Sequence, residues 1–155
     1  MDSTFIESGM REALRHARLA FEEGEPPVGA ALYRGGALVS VGRNRREKRQ
    51  NALWHAELEA IHGACEALGS WRLEDCTLFV TLEPCPMCAG AVISARIPSV
   101  VFGARDERAG ACGSVLDLFS ERFGHRPAVL AGVLGDECAE LLTRFFYNIR
   151  QEVET

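Results

Sequence analysis

The chain has 155 residues, 47% hydrophobic and 25% charged, with a formal net charge of −5. These values suit one domain with a full hydrophobic core and exclude a disordered or repetitive chain. No apolar run is long enough to span a membrane, and the first residues lack the basic and apolar regions of a secretory signal, so neither is expected. A cytoplasmic setting is expected from thiolate use of the cysteines, which needs a reducing compartment.

Ile6, Met10, Ala13, Leu14, Ala17 and Phe21 recur at helical spacing and predict an amphipathic first helix. Thr4 and Glu7 form a candidate capping box, and Gly24 a stop. Strands are predicted over Val28–Tyr33 and Ala37–Val41, joined as a hairpin through Arg34-Gly35-Gly36. A basic loop follows. A second helix is predicted over Trp54–Leu68, a third strand over Thr77–Leu82 and a third helix over Pro86–Ala95, with proline in its favoured first turn. Ser99–Gly103 reads as a buried strand and Ala104–Gly113 as a Gly-rich loop. Ser114 is expected to cap a short helix ending near Arg122, Pro127–Leu134 to form a fifth strand, and Asp136 to cap a last helix. Helices alternating with strands imply an α/β domain with helices on both sheet faces, and the helix-bearing crossover permits the last two strands to pair in parallel.

Six cysteines could suggest disulfides, but only Cys85 and Cys88 stand at motif spacing. They lie where a strand ends and a helix begins, and free N–H groups at a helix start favour thiolates. C-x-x-C alone also fits a redox pair or half of a zinc ribbon. His55 upstream adds an imidazole, which gives three zinc ligands and an open fourth position. Glu57, two residues on, is too close to His55 to be a natural fourth ligand on the same face, but it could touch a water there. H-x-E followed by P-C-x-x-C is the pattern of zinc-dependent nucleobase deaminases, and the other class it fits is a non-catalytic zinc module closed by a fourth ligand such as Cys112. Cys65, Cys76, Cys112 and Cys138 are expected to be small buried hydrophobes.

Charge is unevenly placed. Arg43, Arg45, Arg46, Lys48 and Arg49 stand against Glu47 alone, and the rest of the chain carries 12 basic and 21 acidic residues, a net of −9. An acidic body thus carries one basic loop just before the candidate zinc histidine. That placement favours an RNA-facing role over an ordinary solvated loop.

Beyond the metal motif, several stretches resemble the bacterial tRNA-specific adenosine deaminases of the cytidine deaminase-like superfamily. They are Pro27-Val28-Gly29-Ala30, Asn44, Val80-Thr81-Leu82-Glu83-Pro84-Cys85, Val101 to Asp106, and Asp136-Glu137-Cys138 with Phe145-Phe146. The likeness runs from about Pro27 to Arg150. It implies a three-layer α/β/α fold with a five-stranded mixed sheet, one Zn2+ per chain, a homodimer, and deamination of the wobble adenosine in a tRNA anticodon loop. By the same resemblance, His55, Cys85 and Cys88 are metal ligands and Glu57 is catalytic. Asn44, Val28, Leu82 and Asp106 would contact the nucleotide, and Phe145, Phe146 and Arg150 of the last helix the RNA; the charge and position of the basic loop add Arg45, Arg46, Lys48 and Arg49 to the expected RNA contacts.

Three stretches depart from the family pattern: Ala52-Leu53-Trp54 before the histidine, Gly124-His125 before the fifth strand, and the non-basic end Gln151 to Thr155. They leave open a free base or nucleoside (guanine, cytosine or cytidine) as the alternative substrate. The third helix, carrying Met87, Ala89, Ala91, Val92 and Ile93, is apolar all round and adds to the expectation of a dimer.

Overall fold

The computed structural model describes residues 1–154; Thr155 lies outside the described residues. The elements run α1 (Ser3–Glu22), β1 (Gly29–Arg34), β2 (Ala37–Arg43), α2 (Arg46–Arg49), α3 (Ala56–Leu68), β3 (Cys76–Leu82), α4 (Pro86–Ser94), β4 (Ser99–Ala104), a 3-10 turn (Leu118–Ser120), β5 (Ala128–Leu130) and α5 (Gly135–Glu154). The sheet order is β2-β1-β3-β4-β5. β1 is antiparallel to β2 and to β3, whereas β3, β4 and β5 are parallel. The expected mixed five-stranded sheet is therefore present.

Alternation along the strands makes the two cores. Ala30, Leu32, Leu78, Val80, Val100 and Phe102 face α3 and α4. Ala31, Phe79 and Val101 face Met10, Ala13, Leu14 and Ala17 of α1, with Cys138 and Leu141 of α5. Period-two side chains supply both cores from the same strands. The result is three layers, and no described helix is long and apolar enough to cross a membrane.

Several local readings are corrected. Asp2, not Thr4, caps α1, accepting from the Phe5 N–H at 2.8 Å. Within the basic loop, Arg46–Arg49 close one helical turn. The Ser114-capped helix is absent: only the 3-10 turn forms, and Ser114 bonds Glu83 instead. The fifth strand keeps three residues of the eight expected, because the chain turns at Gly132 (φ +83°) and Leu134 (φ +52°). α5 starts one residue before Asp136. The Gly35-Gly36 turn is confirmed, with φ of +56° and +83°, as a two-residue hairpin of this twist requires.

One close approach sets the site. A Cβ on Gly42 would lie 2.1 Å from the Ala56 carbonyl oxygen. Only glycine lets the first turn of α3 rest on β2, which brings His55 and Glu57 beside Asn44.

Candidate active site

His55 and Cys85 are the N-cap residues of α3 and α4, and neither side chain caps its own helix. Both side chains are thereby free to meet across the end of β3. His55 Nδ1 lies 3.6 Å from Cys85 Sγ and 3.5 Å from Cys88 Sγ. A tetrahedral zinc with ordinary Zn–S and Zn–N bonds requires an S···N separation of about 3.6 Å. The donor set fits the ion in kind and in spacing, and it is the one His/Cys/Asp/Glu cluster among the described residues whose ligand atoms converge within 4.8 Å.

The electrostatics of the trio suit a cation. Cys85 is held down to about 4, first by the Cys88 thiol and then by His55. Cys88 is pushed up by the same hydrogen bond and by burial, and His55 is raised by Cys85. A depressed Cys85 thiol beside a raised His55 favours a cation, whose binding displaces thiol protons.

Glu57, only 4% exposed, lines the same cleft. Burial pushes its carboxyl up to about 7, against the pull of its own backbone N–H and of His55. A carboxyl near neutrality both accepts and returns protons at working pH. Because one position separates it from His55, it reaches the same space without joining the ligand set.

The cleft holds about 800 Å3. Val28, Leu82, Asn44 and Asp106 all line it, as do Arg46, Phe146 and Arg150. Asn44 Oδ1 accepts the Arg46 N–H at 3.0 Å, leaving its amide N–H groups for a ligand. Asp106 Oδ1 is engaged by the N–H groups of Arg108 (3.0 Å) and Ala109 (3.2 Å), so it shapes the rim. Phe145 corrects the sequence reading. It is 7% exposed and packs edge-on against Phe21, 5.9 Å between centroids, away from the cleft; its neighbour Phe146, 46% exposed, is the aromatic group that faces it. Arg45 bonds Glu59 at 3.2 Å, and Lys48 shares Glu23 with Arg43. Arg49 lies over the Trp54 ring. The Gly124-His125 step does not line the cleft: His125 Nε2 meets the Ile97 carbonyl at 2.7 Å.

Sequence reading missed Glu83. This carboxylate, 1% exposed, accepts the N–H groups of Asp106 (3.1 Å), Cys112 (3.0 Å) and Ser114 (3.1 Å) and the Ser114 hydroxyl. It ties the 105–114 segment, whose Arg105 to Ala109 form one wall of the cleft, to the residue before Pro84-Cys85. An acidic residue inside an otherwise apolar strand-to-metal motif was the available signal.

The sequence profile of the MafB19-like deaminase family matches residues 6–149. A tRNA-specific adenosine deaminase of Bacillus subtilis (strain 168) is 48% identical over 92% of this chain and 89% of that one. A solved structure described as a tRNA A34 deaminase acting in A-to-I editing at the wobble position superposes with TM-score 0.84 at 42% identity, covering 87% of this chain and 99% of that one. A guanine deaminase from Nitrosomonas europaea superposes with TM-score 0.80 at 26% identity, covering 90% and 83%. The donor trio, the glutamate beside it and these likenesses agree: the chain belongs to the MafB19-like deaminases and, within them, to the tRNA-specific adenosine deaminase family.

Proposed function

We propose that residues 1–155 form one zinc-dependent hydrolase domain that converts adenosine to inosine at the wobble position of tRNA. The observation that carries the reading is the convergence of His55 Nδ1, Cys85 Sγ and Cys88 Sγ beside the buried Glu57, in an open cleft of about 800 Å3. The 48% identity to a tRNA-specific adenosine deaminase supports the substrate.

His55, Cys85 and Cys88 would hold the ion. Bound there, zinc supplies Lewis acidity that brings the pKa of water towards neutrality. The remaining steps fall to the chain. Glu57 takes the proton of the attacking water on a carboxylate oxygen and delivers it to the ring nitrogen next to the amine-bearing carbon. The new C–O bond forms at that carbon; Glu57 then takes the second proton from the added oxygen and passes it to the amine, so that the C–N bond breaks, the carbonyl forms and ammonia leaves. Val28 and Leu82 supply apolar walls, and the Asn44 amide donates to the nucleotide. Flipping a base from a single-stranded loop costs little, so an open cleft serves.

The likeness to a guanine deaminase supports a second reading, a free base or nucleoside as substrate. One panel separates the two: zinc-loaded protein with anticodon stem-loops carrying a wobble adenosine, and separately with guanine, cytosine and cytidine. Inosine in the stem-loop is expected. Ammonia from a free base, with no inosine in the stem-loop, would replace the tRNA reading.

The reading includes a cytoplasmic homodimer. Met87, Gly90 and Ala91 of α4 stay partly exposed on the single chain, and Val115 and Leu116 are exposed nearby in sequence to the 3-10 turn that packs on α4. A dimer mass is expected by light scattering at micromolar concentration, and a monomer would reject it.

A further inference from the structure

We propose that Arg49, held over the Trp54 ring, is a preset contact for a phosphate of the RNA strand flanking the target nucleotide. This rests on the tRNA reading above and names a specificity element for polynucleotide over free base.

The first support is the closed form of the segment. The Arg45 N–H bonds the Trp54 carbonyl at 3.1 Å, the Asn51 N–H the Arg46 carbonyl at 3.1 Å, and the Trp54 N–H the Asn51 carbonyl at 3.1 Å. Glu25, buried behind it, accepts the N–H groups of Glu47 (3.1 Å) and Lys48 (2.7 Å). The loop is bonded at its mouth and at its base, so its surface is a fixed one.

The second is the charge pairing. Arg43 and Lys48 share Glu23, Arg45 has Glu59, and Arg46 has the exposed Glu47 at 3.5 Å. Among the described residues, the guanidinium of Arg49 has no hydrogen bond and no carboxylate partner. It sits 4.8 Å above the Trp54 ring instead. A guanidinium held over an indole by cation–π attraction, on an exposed residue, keeps N–H groups available to a phosphate, which arginine takes in bidentate fashion.

The third is the foundation under the indole. Trp54 Nε1–H donates to Glu59 Oε2 at 2.6 Å, while Arg45 holds the other oxygen of Glu59. The ring cannot turn without breaking this bond. The fold even leaves Arg45 Nε buried without a partner to keep the bridge.

The fourth is place. Trp54 precedes His55, and its carbonyl is bonded to the residue after Asn44; His55 and Asn44 line the cleft, whereas Trp54 and Arg49 do not. A free base seated in the cleft meets neither. A nucleotide chain leaving the cleft on this side passes them.

The test uses the zinc-loaded protein and a wobble-adenosine stem-loop. Arg49→Gln is expected to raise KM by about tenfold, as loss of a charge-assisted contact does, with kcat moving less than about twofold. Its dependence of log KM on log salt should flatten by about 0.7, the value of one phosphate contact on a single strand. Arg49→Lys should restore the salt slope but only part of the KM. Trp54→Leu should raise KM, and adding it to Arg49→Gln should change nothing further, since the indole acts through the guanidinium. An active wild type whose KM and salt slope survive Arg49→Gln overturns this proposal alone. A wild type that makes no inosine in the stem-loop overturns the tRNA reading and this proposal together.

Discussion

Glu83 offers the sharpest test of how the cleft wall is held. Replacing it by alanine removes the acceptor of three backbone N–H groups, those of Asp106, Cys112 and Ser114, and of one hydroxyl. The Cys112 bond is buried and the others partly so. An unsatisfied buried donor costs about 1–3 kcal/mol, so one full and two partial losses give about 3–5 kcal/mol, a large share of the roughly 5–15 kcal/mol of a whole domain. Glu83→Gln keeps the volume and one oxygen but turns an NH2 towards donors, and about 2 kcal/mol is expected. Acid provides an internal control. Burial raises the Glu83 carboxyl, but the Ser114 hydroxyl and the three N–H groups outweigh it and hold it below the ordinary 4.5. The unfolded chain therefore binds this proton first as the pH falls. The stabilisation is complete above about 4.5 and is lost on acidification through the lower folded value; Glu83→Gln lacks that loss. Denaturant unfolding of the zinc-loaded protein from pH 3 to 7, with hydrogen exchange at the Asp106, Cys112 and Ser114 amides, reads both effects. Glu83→Ala within about 0.5 kcal/mol of wild type, with unchanged exchange at those amides, would refute the reasoning.

Glu57→Gln should retain one zinc per chain by elemental analysis and lose about 10²–10⁴-fold in kcat; loss of the zinc would assign Glu57 to the ligand set instead. In the zinc-free protein the Glu57 carboxyl should titrate near 7 by carbon NMR, because burial raises it. The sign follows: the unfolded chain loses this proton near 4.5 and the folded chain later, so the zinc-free protein should lose stability as pH rises across that interval, and zinc addition should lower the value. Asn44→Ala should raise KM for the stem-loop more than tenfold while costing only about 1 kcal/mol of stability, the loss of its bond to the Arg46 N–H. Equal damage to KM and to folding would reduce Asn44 to a turn residue.

The metal trio was legible because its chemistry is written locally. His55, Cys85 and Cys88 each sit at a helix start, and helix starts announce themselves through proline, small residues and the end of an apolar strand. The sheet was legible for the same reason, since alternation in Ala30–Leu32, Leu78–Val80 and Val100–Phe102 follows from burial on two faces. The fifth strand was overcalled because Val133 and Leu134 are apolar for a different purpose: they pack against the α1 and α5 core beyond the sheet edge. Phe145 and Phe146 show a finer limit. Adjacent residues on a helix point about 100° apart, so one enters the core and the other the cleft. The sequence pair looks like a single aromatic surface.

Charge was the least legible property, since its meaning depends on partners remote along the chain. Arg45 stands in the densest basic stretch, yet its partner Glu59 arrives from α3 and both side chains are largely buried. An arginine already neutralised at 3.2 Å by a largely buried carboxylate displaces no counterions when RNA binds. Arg46, by contrast, lines the cleft and pairs only with the exposed Glu47, a contact that salt screens and that costs little to exchange. The two neighbours should thus behave oppositely. Arg46→Gln should flatten the salt dependence of stem-loop KM by about 0.7 with little change in stability. Arg45→Gln should leave that slope unchanged but lower stability, because Glu59 keeps its charge without its cation. Denaturant midpoints and KM from 50 to 300 mM salt measure both. Equal flattening by the two substitutions would mean that the basic stretch acts as a uniform patch and that the Glu59 bridge does not survive RNA binding.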